Sequence, residues 1–280
     1  MKKILTLTAS FAALGLVQSA FAGDVMLHPA PAPAPADSAL TGDLSLGYDS
    51  QYSFRGVTGL VVPEADHAVT AAINLAYAVN DQWSLVGGVT IQTVNSKVAN
   101  FDNYTYRGGV HYKASSFSAE IGYQGFDGLL SPVTTSAQEA SSEIYVNLGT
   151  TTPFIGGTTN LFVAHDIDKL EGTYIELSFN KGYEICDSVG VDVTVGGAYS
   201  LDYWKKVTTT STPIGTSRAI ATSSDLNHVY ITLGLPWQAV GDLMVTPHVT
   251  YSKGLAALNP AGPGSEDSEV IYGIKASIGF

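Results

Sequence analysis

The charged side chains Asp49, Arg55, Arg107, Lys113, Glu120, Glu143, Glu176, Asp192, Asp202 and Lys275 each stand beside an apolar or aromatic neighbour. Charges of both signs on one parity of extended chain do electrostatic rather than bond-breaking work. Across a narrow passage they set a transverse field and bias what passes by its sign. The same charges can instead pair with one another and stiffen the wall that carries them. The set leans acidic, so a weak preference for cations is expected. Arg55 is a special case, because it follows Tyr52 and Phe54 and precedes Gly56. It either anchors a loop carboxylate such as Glu64 or Asp66 or lines a mouth.

Bond-making chemistry has less support. A hydrolase needs a nucleophile with a base in reach. His28, His67, His111, His165, His228 and His248 are scattered, and none has a serine two positions away. His248 and Thr250 share a parity and nothing more. No phosphate-binding loop, GxGxxG or GxSxG pattern appears, and no spaced His, Cys and carboxylate group indicates a metal. Catalysis, a cofactor and a metal are therefore not expected. A net charge of −12 leaves no basic patch for a nucleic acid.

The elements that carry these charges repeat with period two. Leu44, Leu46 and Tyr48 alternate with Ser45, Gly47 and Asp49; Val69 to Tyr77, Trp83 to Ile91 and Tyr104 to Tyr112 alternate likewise. The pattern continues through Phe117 to Tyr123, Ile144 to Leu148, Ile175 to Phe179, Val189 to Tyr203, Val229 to Leu233, Leu243 to Tyr251 and Val270 to Phe280. The segment near 160–165 is the least regular. Successive side chains of a strand point to opposite faces, so each segment has one apolar and one polar face. The apolar parity carries no Lys, Arg, Asp or Glu. The polar one is mostly Ser, Thr, Gly, Ala and Asn. Only 14% of residues are charged, against about a quarter in soluble domains. The expected fold is all-β: a transmembrane, antiparallel, up-and-down barrel of about 12 strands, apolar outside. Closure satisfies every backbone group in lipid.

An address precedes the barrel. Lys2 and Lys3, an uncharged run from Ile4 to Val17, and Ala20-Phe21-Ala22 read as a secretory signal peptide over 1–22. Alternating proline from Pro29 to Pro35 makes 23–41 a Pro/Ala-rich linker, extended and semi-rigid. It is either a plain spacer or a tether. The barrel then occupies 42–280. The lone Cys186 reads as an unpaired thiol in a turn, so no disulfide staples the fold.

Connections should alternate, short on the periplasmic side with both termini and longer outside. Asn80-Asp81-Gln82 and Ala114-Ser115-Ser116 are short, whereas 127–140, 205–224 and 254–267 are long. The turns near Pro153 and Cys186 are longer than ideal, and that around Asp168 is short. Tyr77, Trp83, Tyr112, Phe117 and Phe280 are expected in the periplasmic aromatic belt. Tyr52, Phe54, Tyr104, Tyr106, Tyr123, Tyr199, Tyr203 and Tyr251 are expected in the outer one. A 12-stranded barrel has a backbone radius of roughly 12 Å, and small inward side chains would leave a water-filled path. The segment 205–224 is the candidate for folding inward.

The stretch Gly47 to Val57, above all Tyr52-Ser53-Phe54-Arg55-Gly56, resembles the first strand of the TorF-type porin family of the outer membrane. That resemblance implies a channel and names no solute. Tyr272, Ile274, Ile278 and Phe280 resemble the terminal-aromatic signal read by the barrel assembly machinery. The expected partners are thus that machinery, outer-membrane lipid and small hydrophilic solutes. The expected function is passive diffusion through a porin-like channel of the cell outer membrane. The alternative is a structural or adhesive barrel with a closed lumen.

Overall fold

The computed structural model describes residues 39–280 apart from 56, 59–64, 97–100, 131–137, 153–155, 170, 213–214 and 258–267. The expected signal peptide and most of the linker lie outside the described residues.

Twelve antiparallel strands close into a barrel. They are β1 (Leu40–Asp49), β2 (Ala65–Ala78), β3 (Trp83–Ser96), β4 (Phe101–Lys113), β5 (Phe117–Leu130), β6 (Gln138–Thr151), β7 (Thr158–Asp166), β8 (Thr173–Cys186), β9 (Val189–Thr212), β10 (Gly215–Gly234), β11 (Leu243–Gly254) and β12 (Ser268–Gly279). Each strand pairs with the next. β1 and β12 complete the cylinder, with Asp43 opposite Gly279 and Asp49 opposite Gly273. Leu40 and Thr41, expected in the linker, belong to β1.

Chain direction separates two ends. Phe280 and the start of β1 share the turn end, where backbone hydrogen bonds join Gly42 and Phe280 in both directions. Asn80 shapes one turn there, its Oδ1 accepting from the backbone N–H of Gln82 at 2.9 Å and of Trp83 at 3.0 Å. The turn after Cys186 is shorter than expected: β9 starts at Val189, directly paired with Cys186. A short extra strand, Trp237–Val240, follows β10 and extends the wall between β9 and β11.

The opposite, loop end departs further from expectation. The segment 205–224, apart from 213–214, is taken up by strand pairing rather than by an irregular loop. β9 and β10 run on to Thr212 and from Gly215, with Thr212 opposite Gly215. At 24 and 20 residues they far exceed the roughly 9–11 residues that cross a bilayer. The segment that enters the barrel follows β1 instead. Ser53–Phe54 pairs with Val57–Thr58, and Tyr52, Phe54 and Arg55 are buried.

The outer surface is an apolar band. Leu46 is 63% exposed, and Ile73, Val89, Ile121, Ile144, Leu177, Ile231 and Ile274 are exposed around the wall. An unbroken belt of this kind would drive association in water and is the surface a lipid chain accepts. Trp83 and Tyr112 pack at 4.8 Å at the turn end, where Tyr77, Phe117 and Phe280 are also exposed. At the loop end Tyr104, Tyr106, Tyr123 and Tyr251 are exposed. Tyr52, Phe54 and Tyr203 are not part of that belt: all three are buried in the lumen.

The irregular β7 has a simple cause. Leu161 and Val163 sit on its outer parity while Phe162 and Ala164 are buried on the inner one, so both faces are apolar and alternation fades.

Candidate lumen constriction

The inner parity supplies a polar wall whose charges are nearly all bonded. Near the turn end, Arg107 donates to Asn74 Oδ1 at 2.7 Å, and Asn74 donates to Asp43 at 3.2 Å. Lys275 is buried, and Lys113 and Asp192 are half-buried. Asp49 lies 2.8 Å from His248 Nε2 across the β1–β12–β11 wall. Thr250, the neighbour of His248 on that face, bonds Thr232 at 2.7 Å.

The buried glutamates Glu120, Glu143 and Glu176 each accept from tyrosine. Tyr145 donates to Glu120 at 2.6 Å, with His111 Nδ1 3.4 Å from the other oxygen. Tyr174 donates to Glu176 Oε2, and Tyr230 to Glu176 Oε1 at 2.8 Å. His228 stacks between them, 6.4 Å from Tyr174 and 5.5 Å from Tyr230.

These rings lie against the wall because glycine lets them. A Cβ at Gly122 would fall 2.6 Å from Tyr145 Cζ and Oη, and one at Gly196 would fall 2.5 Å from Tyr230 Cζ. Gly122→Ala is therefore expected to push Tyr145 off Glu120 and destabilise the barrel by about 1–3 kcal/mol. Urea unfolding of refolded protein in lipid measures it; an unchanged midpoint would mean that the ring moves freely.

Arg55 fills the lumen beside β6, β8 and β9. It stands at the tip of the inward hairpin in the left-handed region, φ 51°. That conformation costs energy in a non-glycine residue and persists where its surroundings over-determine it. Here they do. The guanidinium Nη2 donates to Glu143 Oε2. Glu143 also accepts from Gln124 and, at 2.6 Å, from Tyr203. The guanidinium carbon lies 4.5 Å from the Tyr174 ring centre, 4.4 Å from that of Tyr203 and 5.2 Å from that of Phe54. The Arg55 carbonyl accepts from Asn227 at 3.0 Å, and Asn227 in turn accepts from Trp204 at 3.1 Å. Phe54 packs edge-on against Phe126 and Trp204. Burial alone would weaken the charge on Arg55, but Glu143 and the flanking tyrosines more than offset it and raise its pKa.

Arg55 and Glu143 are each 0% exposed, so water does not reach the pair. Where small inward side chains alone suggest an open path, the lumen here is occupied by the hairpin beside β6, β8 and β9. Among the described residues the bonded partner of Arg55 is Glu143; Glu64 and the side chain of Asp66, the expected loop acids, lie outside the described residues.

Asp202 departs from the other candidates. It is exposed, accepts from Ser224 at 3.0 Å, and has φ 53°. The β9–β10 register slips between Ser200 and Trp204. That bulge turns Asp202 out and brings Tyr203 and Trp204 in.

Sequence reasoning missed Tyr145, Tyr174, Tyr230, Asn227 and His228 as site residues. Their signal was available: aromatic side chains on the polar parity, beside Ile144, Ile175 and Val229. Among the described residues no group of His, Cys, Asp and Glu is placed to hold a metal.

No family model matches the sequence, and no curated protein matches it. Among solved structures, the barrel is similar to an outer membrane channel from Pseudomonas putida F1, with TM-score 0.53 over 88% of this chain and 99% of that one at 9% identity. The NanC porin gives TM-score 0.48 over 85% of this chain and 98% of that one at 11% identity. The translocator domain of autotransporter NalP from Neisseria meningitidis gives 0.44 over 87% and 88% at 11% identity. At these identities the likeness is one of fold.

Proposed function

We propose that this chain is an outer-membrane channel for passive diffusion of small hydrophilic solutes, weakly selective for cations and held closed by the Arg55 turn. The observation that carries the reading is the manner of closure. A polar, charged lumen is shut by one hairpin tip, and an ion pair pins that tip to the wall. The barrel is similar in fold to that of an outer membrane channel. Described lumen acids Asp43, Asp49, Glu120, Glu143, Asp166, Glu176 and Asp192 outweigh Arg55, Arg107, Lys113 and Lys275, which favours cations in the path. Export by the leader, assembly through Tyr272, Ile274, Ile278 and Phe280, and kinship with the TorF-type porins belong to the same reading. Catalysis does not.

One observation favours a second reading, a structural or adhesive barrel with a permanently closed lumen: the complete burial of Arg55 and Glu143. Single-channel recording in planar bilayers separates the two. Wild-type protein is expected to open rarely. Arg55→Ala is expected to give sustained current steps, with a reversal potential on the cation side of a potassium chloride gradient. An anion-side reversal would remove the cation preference. Silence from both proteins, each verified as a folded barrel, would assign the closed reading.

A further inference from the structure

We propose that the seat of Arg55 is a recognition site for small organic cations bearing a guanidinium or ammonium group, occupied in the closed state by the chain's own side chain. This rests on the channel reading and gives it a solute class.

The seat belongs to the wall, whereas the cation does not. Glu143 stands on β6, Tyr174 on β8 and Tyr203 on β9, all built into the cylinder. Arg55 arrives on the hairpin between β1 and β2. Withdrawing that hairpin leaves two tyrosine rings and a carboxylate facing one another across a space sized for a planar cation. Ring faces attract cations most where water is excluded, and a carboxylate that already accepts from Gln124 and Tyr203 is fixed in place for charge-assisted bonding.

The seat does not satisfy its internal occupant. Only Nη2 of Arg55 reaches Glu143, and among the described residues its buried Nε and Nη1 have no hydrogen-bond partner. An incoming cation with freely oriented donors can satisfy Glu143 without the left-handed backbone that Arg55 carries. A second acid lies next along the wall: Tyr174 also donates to Glu176, with Tyr230 on its other oxygen. A cation leaving Glu143 therefore meets another carboxylate. An anion would meet the same acids unfavourably once Arg55 has moved away.

The test uses methylguanidinium chloride on refolded full-length protein, with urea as the neutral analogue of the same shape. Calorimetry should show that Arg55→Ala binds methylguanidinium and not urea. Binding to wild type should be weaker by at least about tenfold, because the intramolecular cation must first be displaced. Adding Glu143→Gln to Arg55→Ala should abolish binding. Should Arg55→Ala not fold, Arg55→Met replaces the stem and leaves only the guanidinium's place empty. In bilayers methylguanidinium should reduce the variant's current. A folded variant that binds neither compound, or binds methylguanidinium equally with Gln at position 143, overturns the site. Binding with the expected Glu143 dependence but no current in any variant upholds the site and removes the channel. Current without methylguanidinium binding or block does the reverse.

Discussion

Glu143→Ala should destabilise the barrel by about 3–5 kcal/mol, the usual cost of leaving a buried charge without its partner. In the native lumen Glu143 is the only carboxylate that accepts from the Arg55 guanidinium among the described residues, and both are fully buried. Without it the cation faces only the rings of Tyr174, Tyr203 and Phe54. Tyr203 and Gln124 lose their acceptor as well. The hairpin then has two options, to keep an unpaired charge in a dry lumen or to leave. The second opens the passage, so a rise in conductance should accompany the loss of stability. The double variant Arg55→Ala, Glu143→Ala carries no unpaired charge and should regain part of the lost stability. Urea unfolding of the two singles and the double gives the coupling directly. Additive effects would mean that the ion pair does not hold the hairpin.

Ile73→Arg should cost about 2–4 kcal/mol, the range for a cation on the lipid face near the bilayer midplane. Ile73 lies well inside β2, opposite Leu44 on β1 and Val89 on β3, and its side chain is exposed on the apolar band. An arginine there has no carboxylate within reach on that face and must carry its charge into hydrocarbon. The same change at Val79, exposed at the turn end beyond β2, should be nearly neutral, since headgroups and water are close. Reversible unfolding from lipid vesicles reads the difference. Equal effects at the two positions would show that the band does not face lipid.

The two variants probe opposite faces of one wall, and the faces differ in how clearly the sequence reports them. Period-two alternation by itself determined the strands, their number and which side of each is apolar. A strand has no freedom in that respect: adjacent side chains must diverge, and a charge in hydrocarbon is too costly to be placed at random. The inward positions of Asp49, Arg107, Glu120, Glu143 and Glu176 follow from parity in the same way. Parity fails where the backbone leaves the regular ladder. Asp202, with positive φ, sits in a bulge that exchanges the faces of its neighbours, and Arg55, also with positive φ, turns a hairpin that leaves the wall, so Tyr203 and Phe54 read as belt residues but lie inside. Which connection enters the barrel was likewise invisible. The length of 205–224 suggested a folded-in loop, but cross-strand pairing claimed it as hairpin, while the stretch after β1 carried the cation that pairs with Glu143. Partners 88 residues apart in sequence meet only once twelve strands have closed, because the seat is the product of three wall strands and a turn. Sequence records each residue's face locally; the contents of the lumen are a property of the closed cylinder.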